Sequence, residues 1–273
     1  MSHDADLTGK VALITGAARG QGRSHAARLA AAGADIIALD LCAPLAGVGY
    51  SSATPADLEE TVRLVRDAGR RILARQADVR DLAQMQAAVA EGLQTLGRID
   101  IVVANAGICT MNRVWELTPE QWTDTIETNL TGVWHTVKCA IPPMIEQGDG
   151  GSVVITSSTA GTRGLPFLGH YSATKHAVIG LMRTLANELG EYFIRVNTIN
   201  PTGVDTAMGR DPEMERFIEQ YPALSTVLRG GNAIPIPRVE PGDVSDAVLW
   251  LASSSSRYVT GTVLPVDAGY DVR

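Results

Sequence analysis

Tyr171 and Lys175, in the run Tyr171-Ser172-Ala173-Thr174-Lys175, stand four positions apart. On a helix that spacing is about one turn, so a phenol and an ammonium would share one face. Free tyrosine titrates near pH 10 and is a weak acid–base group at neutral pH. A nearby cation favours the phenolate and brings it toward the working range. Ser158 follows the apolar run Ser152–Thr156 and could hold an oxygen beside that phenol. The chemistry such a trio allows is proton transfer at a hydroxyl or carbonyl oxygen. Each residue also has an ordinary structural reading, because this tyrosine–lysine spacing arises by chance and paired serines after a strand are common turn formers.

A second group of residues suits a dinucleotide. Thr15-Gly16-Ala17-Ala18-Arg19-Gly20-Gln21-Gly22 sets three glycines between an apolar run and a helix-compatible stretch, His25–Ala32. Glycines let the backbone approach a pyrophosphate, and a helix N-terminus offers free N–H donors and the positive end of its dipole. Asp40, followed by Leu41, closes the next apolar run. A carboxylate there accepts hydrogen bonds from the adenine-ribose hydroxyls and repels a 2′-phosphate, which favours NAD over NADP. The competing reading of Asp40 is a turn cap. The Arg19 guanidinium could instead serve a 2′-phosphate, although repulsion from Asp40 would act directly at that group. Asp78-Val79 follows a further strand-like run, and Asp78 suits either the adenine amino group or the cap of the next helix.

Positioning these groups requires alternating strands and helices. Lys10–Thr15 and Asp35–Asp40 are apolar without alternation, as in parallel strands covered on both faces. Similar runs recur at 71–76, 99–104, 152–156, 195–199 and 263–266. Helical spacing of apolar residues appears at 57–68, 82–96, 119–147, 172–191 and 244–252, with Thr118 before Pro119 as one plausible cap. The alternation predicts an α/β fold: one doubly wound, Rossmann-type parallel sheet flanked by helices over residues 1–273.

Composition fits an enzyme of this kind and excludes other classes. Apolar residues make up 45% and charged residues 19%, the balance of a well-buried globular chain. A net charge of −7 without a basic cluster disfavours nucleic-acid binding. The polar N-terminus, Met1 to Asp6, lacks the pattern of a secretory signal, and no apolar run suffices to span a bilayer, so a cytoplasmic, non-membrane protein is expected. Cys42, Cys109 and Cys139 are widely spaced and expected to be reduced, and the histidines and cysteines show no ligand spacing for a metal.

The glycine loop Thr15–Gly22, Asn105-Ala106-Gly107, Asn129, Ser158 and the Tyr171/Lys175 pair occur in the order of the short-chain dehydrogenases/reductases, and the resemblance covers nearly the whole chain. It implies Tyr171 as general acid–base, Ser158 orienting the substrate oxygen, Lys175 binding the nicotinamide ribose and lowering the tyrosine pKa, and Asn129 holding a proton-relay water. By sequence alone Asn129 also suits satisfying a neighbouring carbonyl. Asn105, Ala106 and Gly107 would lie against the adenosine side of the cofactor. Pro201-Thr202-Gly203-Val204-Asp205-Thr206 resembles the family's loop at the nicotinamide carboxamide, with Val204 offering backbone groups and Thr206 its hydroxyl. Thr202 stands where the family usually has glycine, which leaves the path past Pro201 and Gly203 open. The family resemblance further implies a homotetramer built through residues 119–147, 172–191 and 263–270.

The chain between Asp40 and Asp78 is longer than one helix and two short loops need. Residues 41–55 are Gly/Pro-punctuated and apolar, an insertion beside the adenosine site. It reads either as a tolerated surface loop or, with the run Arg19–His25 and the loop Pro201–Val204, as resembling the mycofactocin-coupled, carveol-dehydrogenase-like reductases. That resemblance implies a loop folded over NAD and an external electron carrier that re-oxidises it in place. Residues 207–237, with Met208, Met214, Phe217, Tyr221 and Leu224, resemble the family's substrate lid. With Leu165–Gly169, Cys109, Met111 and Trp115 they imply an apolar pocket for a small hydrophobic alcohol or ketone, carveol-like, alicyclic or steroid-like. His170 and Cys109 have structural readings, as a packed histidine and an inert pocket thiol. The rivals are an NADP-dependent 3-oxoacyl-type ketoreductase, against which Asp40 argues, and a non-catalytic NAD sensor, which would be free to lose Tyr171, Lys175 or Ser158. A metal-dependent alcohol dehydrogenase lacks its ligand pattern.

Overall fold

β1 (Val11–Thr15) and β2 (Asp35–Asp40) are buried at every position, because helices cover both faces of the sheet they build. The computed structural model describes residues 5–45, 47–228 and 231–273. Met1–Asp4, on which much of the reading of the N-terminus rests, lie outside the described residues, as do Ala46 of the insertion and Arg229 and Gly230 of the lid segment.

Five further strands, β3 (Ile72–Gln76), β4 (Ile101–Ala104), β5 (Gly151–Thr156), β6 (Ile194–Pro201) and β7 (Val263–Val266), complete one sheet in the order β3-β2-β1-β4-β5-β6-β7. Every neighbouring pair is parallel. The expected doubly wound sheet is therefore the observed one. The order reverses between β1 and β4, and at such a switch point the loops leaving the strands diverge and open a crevice.

Successive residues of a strand face opposite layers. Val11 and Leu13 join a core with Met85 and Val89 of α3 (Leu82–Leu96), Val133 and Val137 of α5 (Gly132–Gln147), and Val178 and Met182 of α6 (Gly169–Leu189). Ala12 and Ile14 join the other, with Leu29 of α1 (Gly20–Ala31), Leu58 and Val65 of α2 (Pro55–Asp67), and Val244 and Val248 of α9 (Pro241–Ala252).

Local chemistry explains most boundaries. Thr54 and Asp57 form a capping box that starts α2 at Pro55, so the irregular part of the insertion ends at Thr54. Thr118 and Gln121 do the same for α4 (Pro119–Ile126). The helix expected over 119–147 is interrupted, because Glu127–Thr131 form a π-helical turn between α4 and α5. Such a widened turn adds a residue to the helical circuit and occurs often at functional sites. The segment expected as a lid contains α7 (Pro212–Gln220) and α8 (Pro222–Leu228), whose helical character the sequence reading did not anticipate. Among the described residues, no helix is long and apolar enough to cross a membrane.

Candidate active site

α1 begins at Gly20 with no side-chain cap from Arg19, so its first N–H groups are left for a ligand. Gly16 and Gly20 adopt positive φ, +66° and +54°, which only glycine reaches without strain. A Cβ on Gly22 would lie 2.0 Å from the Gly16 carbonyl oxygen, so the chain must double back against itself there. The Gln21 side-chain oxygen, buried at the loop, has no hydrogen-bond partner among the described residues.

These residues line a cavity of about 180 Å3 with Asp40, Leu41, Asp78, Val79, Asn105, Ala106 and Gly107. Asp40 caps the turn after β2 and also lines the cavity. Its buried carboxylate faces the cavity, and it also accepts from the N–H of Ala18 at 2.9 Å and of Cys42 at 3.0 Å. Cys42, at φ +46°, takes a left-handed turn directly after it. Asp78 is not the helix cap: Asp81 accepts from Ala83 and Gln84 at the start of α3, whereas Asp78 is paired with Arg80 at 2.7 Å. Asn105 bridges strands, donating its backbone N–H to the Thr15 hydroxyl at 3.1 Å and its side-chain amide to the Thr15 carbonyl at 3.0 Å. An uncapped helix start, a glycine turn with room for phosphate, and a carboxylate at the end of β2 are the groups that a bound NAD requires.

The insertion crosses this cavity. Ala43, Leu45, Val48 and Tyr50 line it, the N–H of Cys109 donates to the Tyr50 hydroxyl at 3.2 Å, and Arg19 lies over the Tyr50 ring while donating to Ser51. On its far side a Cβ at Gly49 would meet the Asp211 carboxylate at 2.7 Å, so the insertion also touches the start of α7. The sequence reading missed Tyr50, and an aromatic hydroxyl inside a glycine-punctuated apolar loop was the available signal.

A second cavity, of about 460 Å3, continues from the first through shared lining at Gln21, Asn105, Gly107, Thr206 and Met208. Ser158, Tyr171 and Lys175 line it, with Pro201, Gly203 and Val204. α6 carries Tyr171 and Lys175 on one face as the spacing requires, with the lysine ammonium 5.5 Å from the phenol ring centre. Lys175 donates to the Thr156 carbonyl at 2.7 Å, which ties α6 to the end of β5. Ser158 accepts from the N–H of Ala160 at 3.1 Å.

Electrostatics in this pocket differ from the sequence expectation. Burial, and next the neighbouring Cys109, push the Tyr171 phenol above its ordinary value, while contact with Ser158 pulls it down. Lys175 is lowered to about 8, again by burial. Burial is the largest influence on both groups. Cys109 is pushed up to about 12 by burial, which makes it the inert thiol expected. His170 is fully buried, bonded to Thr110 at 2.7 Å, and its pKa is lowered by burial, as a packed histidine should be.

Asn129 stands apart. It lies in the π turn, fully buried, lining neither cavity, and its side-chain amide both receives the Ile108 N–H and donates to the Ile108 carbonyl, each at 2.8 Å. Thr206 accepts from the Gly209 N–H at 3.2 Å. The segment 207–237 packs on the pocket through Phe217 and Tyr221 against Phe167, with Arg113 4.4 Å from the Tyr221 ring centre, and Tyr270 donates to the Val227 carbonyl at 3.0 Å.

Residues 16–271 match the family model described as enoyl-(acyl carrier protein) reductase. The chain belongs to the short-chain dehydrogenase/reductase family, and so to the oxidoreductases. Among its relatives in that family, an uncharacterised NAD-dependent oxidoreductase of Mycobacterium tuberculosis is 50% identical over 264 residues, covering 96% of each chain. A (-)-trans-carveol dehydrogenase of Rhodococcus erythropolis is 46% identical, covering 97% of this chain and 98% of the relative. A crystal structure of a carveol dehydrogenase from Mycobacterium avium in complex with NAD superimposes with a TM-score of 0.93 at 48% identity, over 98% of this chain and 99% of that one.

Proposed function

We propose that this short-chain dehydrogenase/reductase is NAD-dependent and interconverts a hydrophobic secondary alcohol, of the carveol-like alicyclic class, with its ketone. The observation that carries the reading is the continuity of the two cavities: Asp40 and the glycine loop line one, and Tyr171, Lys175 and Ser158 line the other. The NAD-bound relative supports the cofactor, and the named carveol dehydrogenases support the substrate class.

Bound NAD supplies the hydride acceptor in one direction and the donor in the other. Ser158 holds the substrate oxygen, and Tyr171 takes the proton of the alcohol hydroxyl as the carbinol C–H leaves as hydride. Lys175, held against Thr156, binds the nicotinamide ribose and offers its charge to the phenolate. The further positive charge that the buried Tyr171 phenol needs to ionise would come from an oxidised nicotinamide held beside Lys175. Asn129 fixes the Ile108 backbone beside the pocket, its side-chain amide being taken up by Ile108. Val204 and Thr206 meet the carboxamide, and Asp40 holds the adenine ribose.

The insertion acts as a strap that keeps NAD bound between turnovers, so that an external carrier re-oxidises it in place. Its span from Arg19 to Cys109 and its contact with α7 support this. The test assays purified protein with a panel of hydrophobic secondary alcohols, adding NAD, NADP or an artificial electron acceptor. Nicotinamide carried through purification and turnover dependent on the acceptor are expected. An NADP preference would overturn the cofactor assignment, and a cofactor-free preparation that turns over freely with added NAD would overturn the strap.

A further inference from the structure

The substrate cavity is electropositive in an acidic protein. Of the residues that line it, Lys175 and Arg238 are charged, and none is Asp or Glu, although the chain carries a net charge of −7. The Lys175 ammonium is committed to the Thr156 carbonyl. Arg238 makes no hydrogen bond or ion pair among the described residues. Asp205 lies close enough to feel its charge, but that carboxylate is bonded to Arg210 at 2.6 Å.

Arg238 is held in place by its neighbours. The Val239 N–H donates to the Gly203 carbonyl and the Asp205 N–H to the Val239 carbonyl, both at 3.0 Å, which pins the segment against the loop after β6. A Cβ on Gly203 would come 3.7 Å from the arginine stem. Elsewhere in the cavity lining, Ile218, Ile236 and Pro237 are apolar, the Tyr270 hydroxyl is bonded to Val227, and Thr202 donates to Asn232 at 3.3 Å. A partly buried guanidinium without a carboxylate, bordering an apolar pocket that also holds the acid–base pair, presents a fork of donors suited to a carboxylate.

We propose that Arg238 anchors an anionic group, so that the preferred substrate is a hydrophobic hydroxy acid whose alcohol meets Tyr171 while its carboxylate meets Arg238. This rests on the reading of Tyr171 and Ser158 as the alcohol site. It adds specificity without changing the chemistry: the hydroxyl proton still passes to Tyr171 and the hydride to NAD.

The experiment compares 4-hydroxycyclohexanecarboxylate with cyclohexanol in the NAD-loaded enzyme, using wild type, Arg238→Gln and Arg238→Lys. A charge-assisted contact of this kind is worth roughly ten- to hundredfold in affinity. The ratio of kcat/KM for the acid to that for the alcohol should fall by about that factor in Arg238→Gln and recover in part in Arg238→Lys. In wild type the KM of the acid should rise with added salt while that of cyclohexanol stays level, a readout that needs no variant. Equal treatment of acid and alcohol by wild type, or a ratio unmoved by Arg238→Gln, would overturn the anchor and leave the alcohol site standing. If neither compound nor any other alcohol is oxidised, the proposed function fails and the anchor with it.

Discussion

The backbone N–H of Cys109 donates to the Tyr50 hydroxyl across 3.2 Å, joining an insertion beside the adenosine cleft to the loop beside Tyr171. The two residues are 59 positions apart. Removing that acceptor in Tyr50→Phe loses one net hydrogen bond, so release of NAD should speed up about 2- to 10-fold. Stopped-flow displacement of bound NAD measures it. An unchanged release rate would mean that the strap is held elsewhere.

Tyr171→Phe keeps the ring that packs in the pocket and removes the group proposed to carry the proton. Turnover should fall by roughly 10²- to 10⁴-fold, the usual weight of a general acid–base group, with NAD affinity nearly intact. Steady-state kinetics alongside a fluorescence titration of NAD separates the two effects.

Gly22→Ala places a methyl group 2.0 Å from the Gly16 carbonyl oxygen, against backbone that cannot swing away. Forced overpacking of this kind costs roughly 1–3 kcal/mol, and the glycine turn would open. Both thermal stability and NAD affinity should drop, the second measured by calorimetry. Alanine at Gly180, where a Cβ would meet nothing within 4 Å, is the control.

His25 is fully buried, bonded through one ring nitrogen to Ser245 at 2.8 Å, with its pKa lowered to about 3 by burial. Below about pH 6.5 the unfolded chain protonates this histidine while the folded one does not, so acid favours unfolding until the folded pKa is reached. Burial lowers His170 in the same direction. Urea unfolding between pH 7 and 5 should therefore show stability falling with pH. His25→Asn should remove a slope approaching about 1.4 kcal/mol per pH unit. An unaltered slope in that variant would assign the effect to other groups.

The parts of this chain that were legible in one dimension are those governed by local rules. Continuous apolar runs marked strands buried on both faces, and the spacing of Gly16, Gly20 and Gly22 marked the turn into α1. The four-residue step from Tyr171 to Lys175 fixed a shared helical face, because 3.6 residues complete a turn whatever the context. Thr118 before Pro119 announced α4, since a cap and its box are made within one turn.

What sequence could not supply depends on which distant groups share a desolvated space. Asp78 suited the cap of the next helix in sequence, but Asp81 takes that cap in the fold and Asp78 pairs with Arg80. The π turn at Glu127–Thr131 follows no residue pattern that periodicity can read. Tyr50 and Arg238 lie in segments without regular secondary structure, so no repeat betrays where they point. The chain by itself determined a parallel α/β fold, a dinucleotide loop and a phenol–ammonium pair, because each is a short-range pattern of sterics and hydrogen bonding. Only the tertiary structure decided that the phenol is pushed up rather than down in the chain alone, that Asn129 is consumed by Ile108, and that the insertion reaches Cys109. Burial and charge act through space, and the distances through space are set by the packing of the whole sheet.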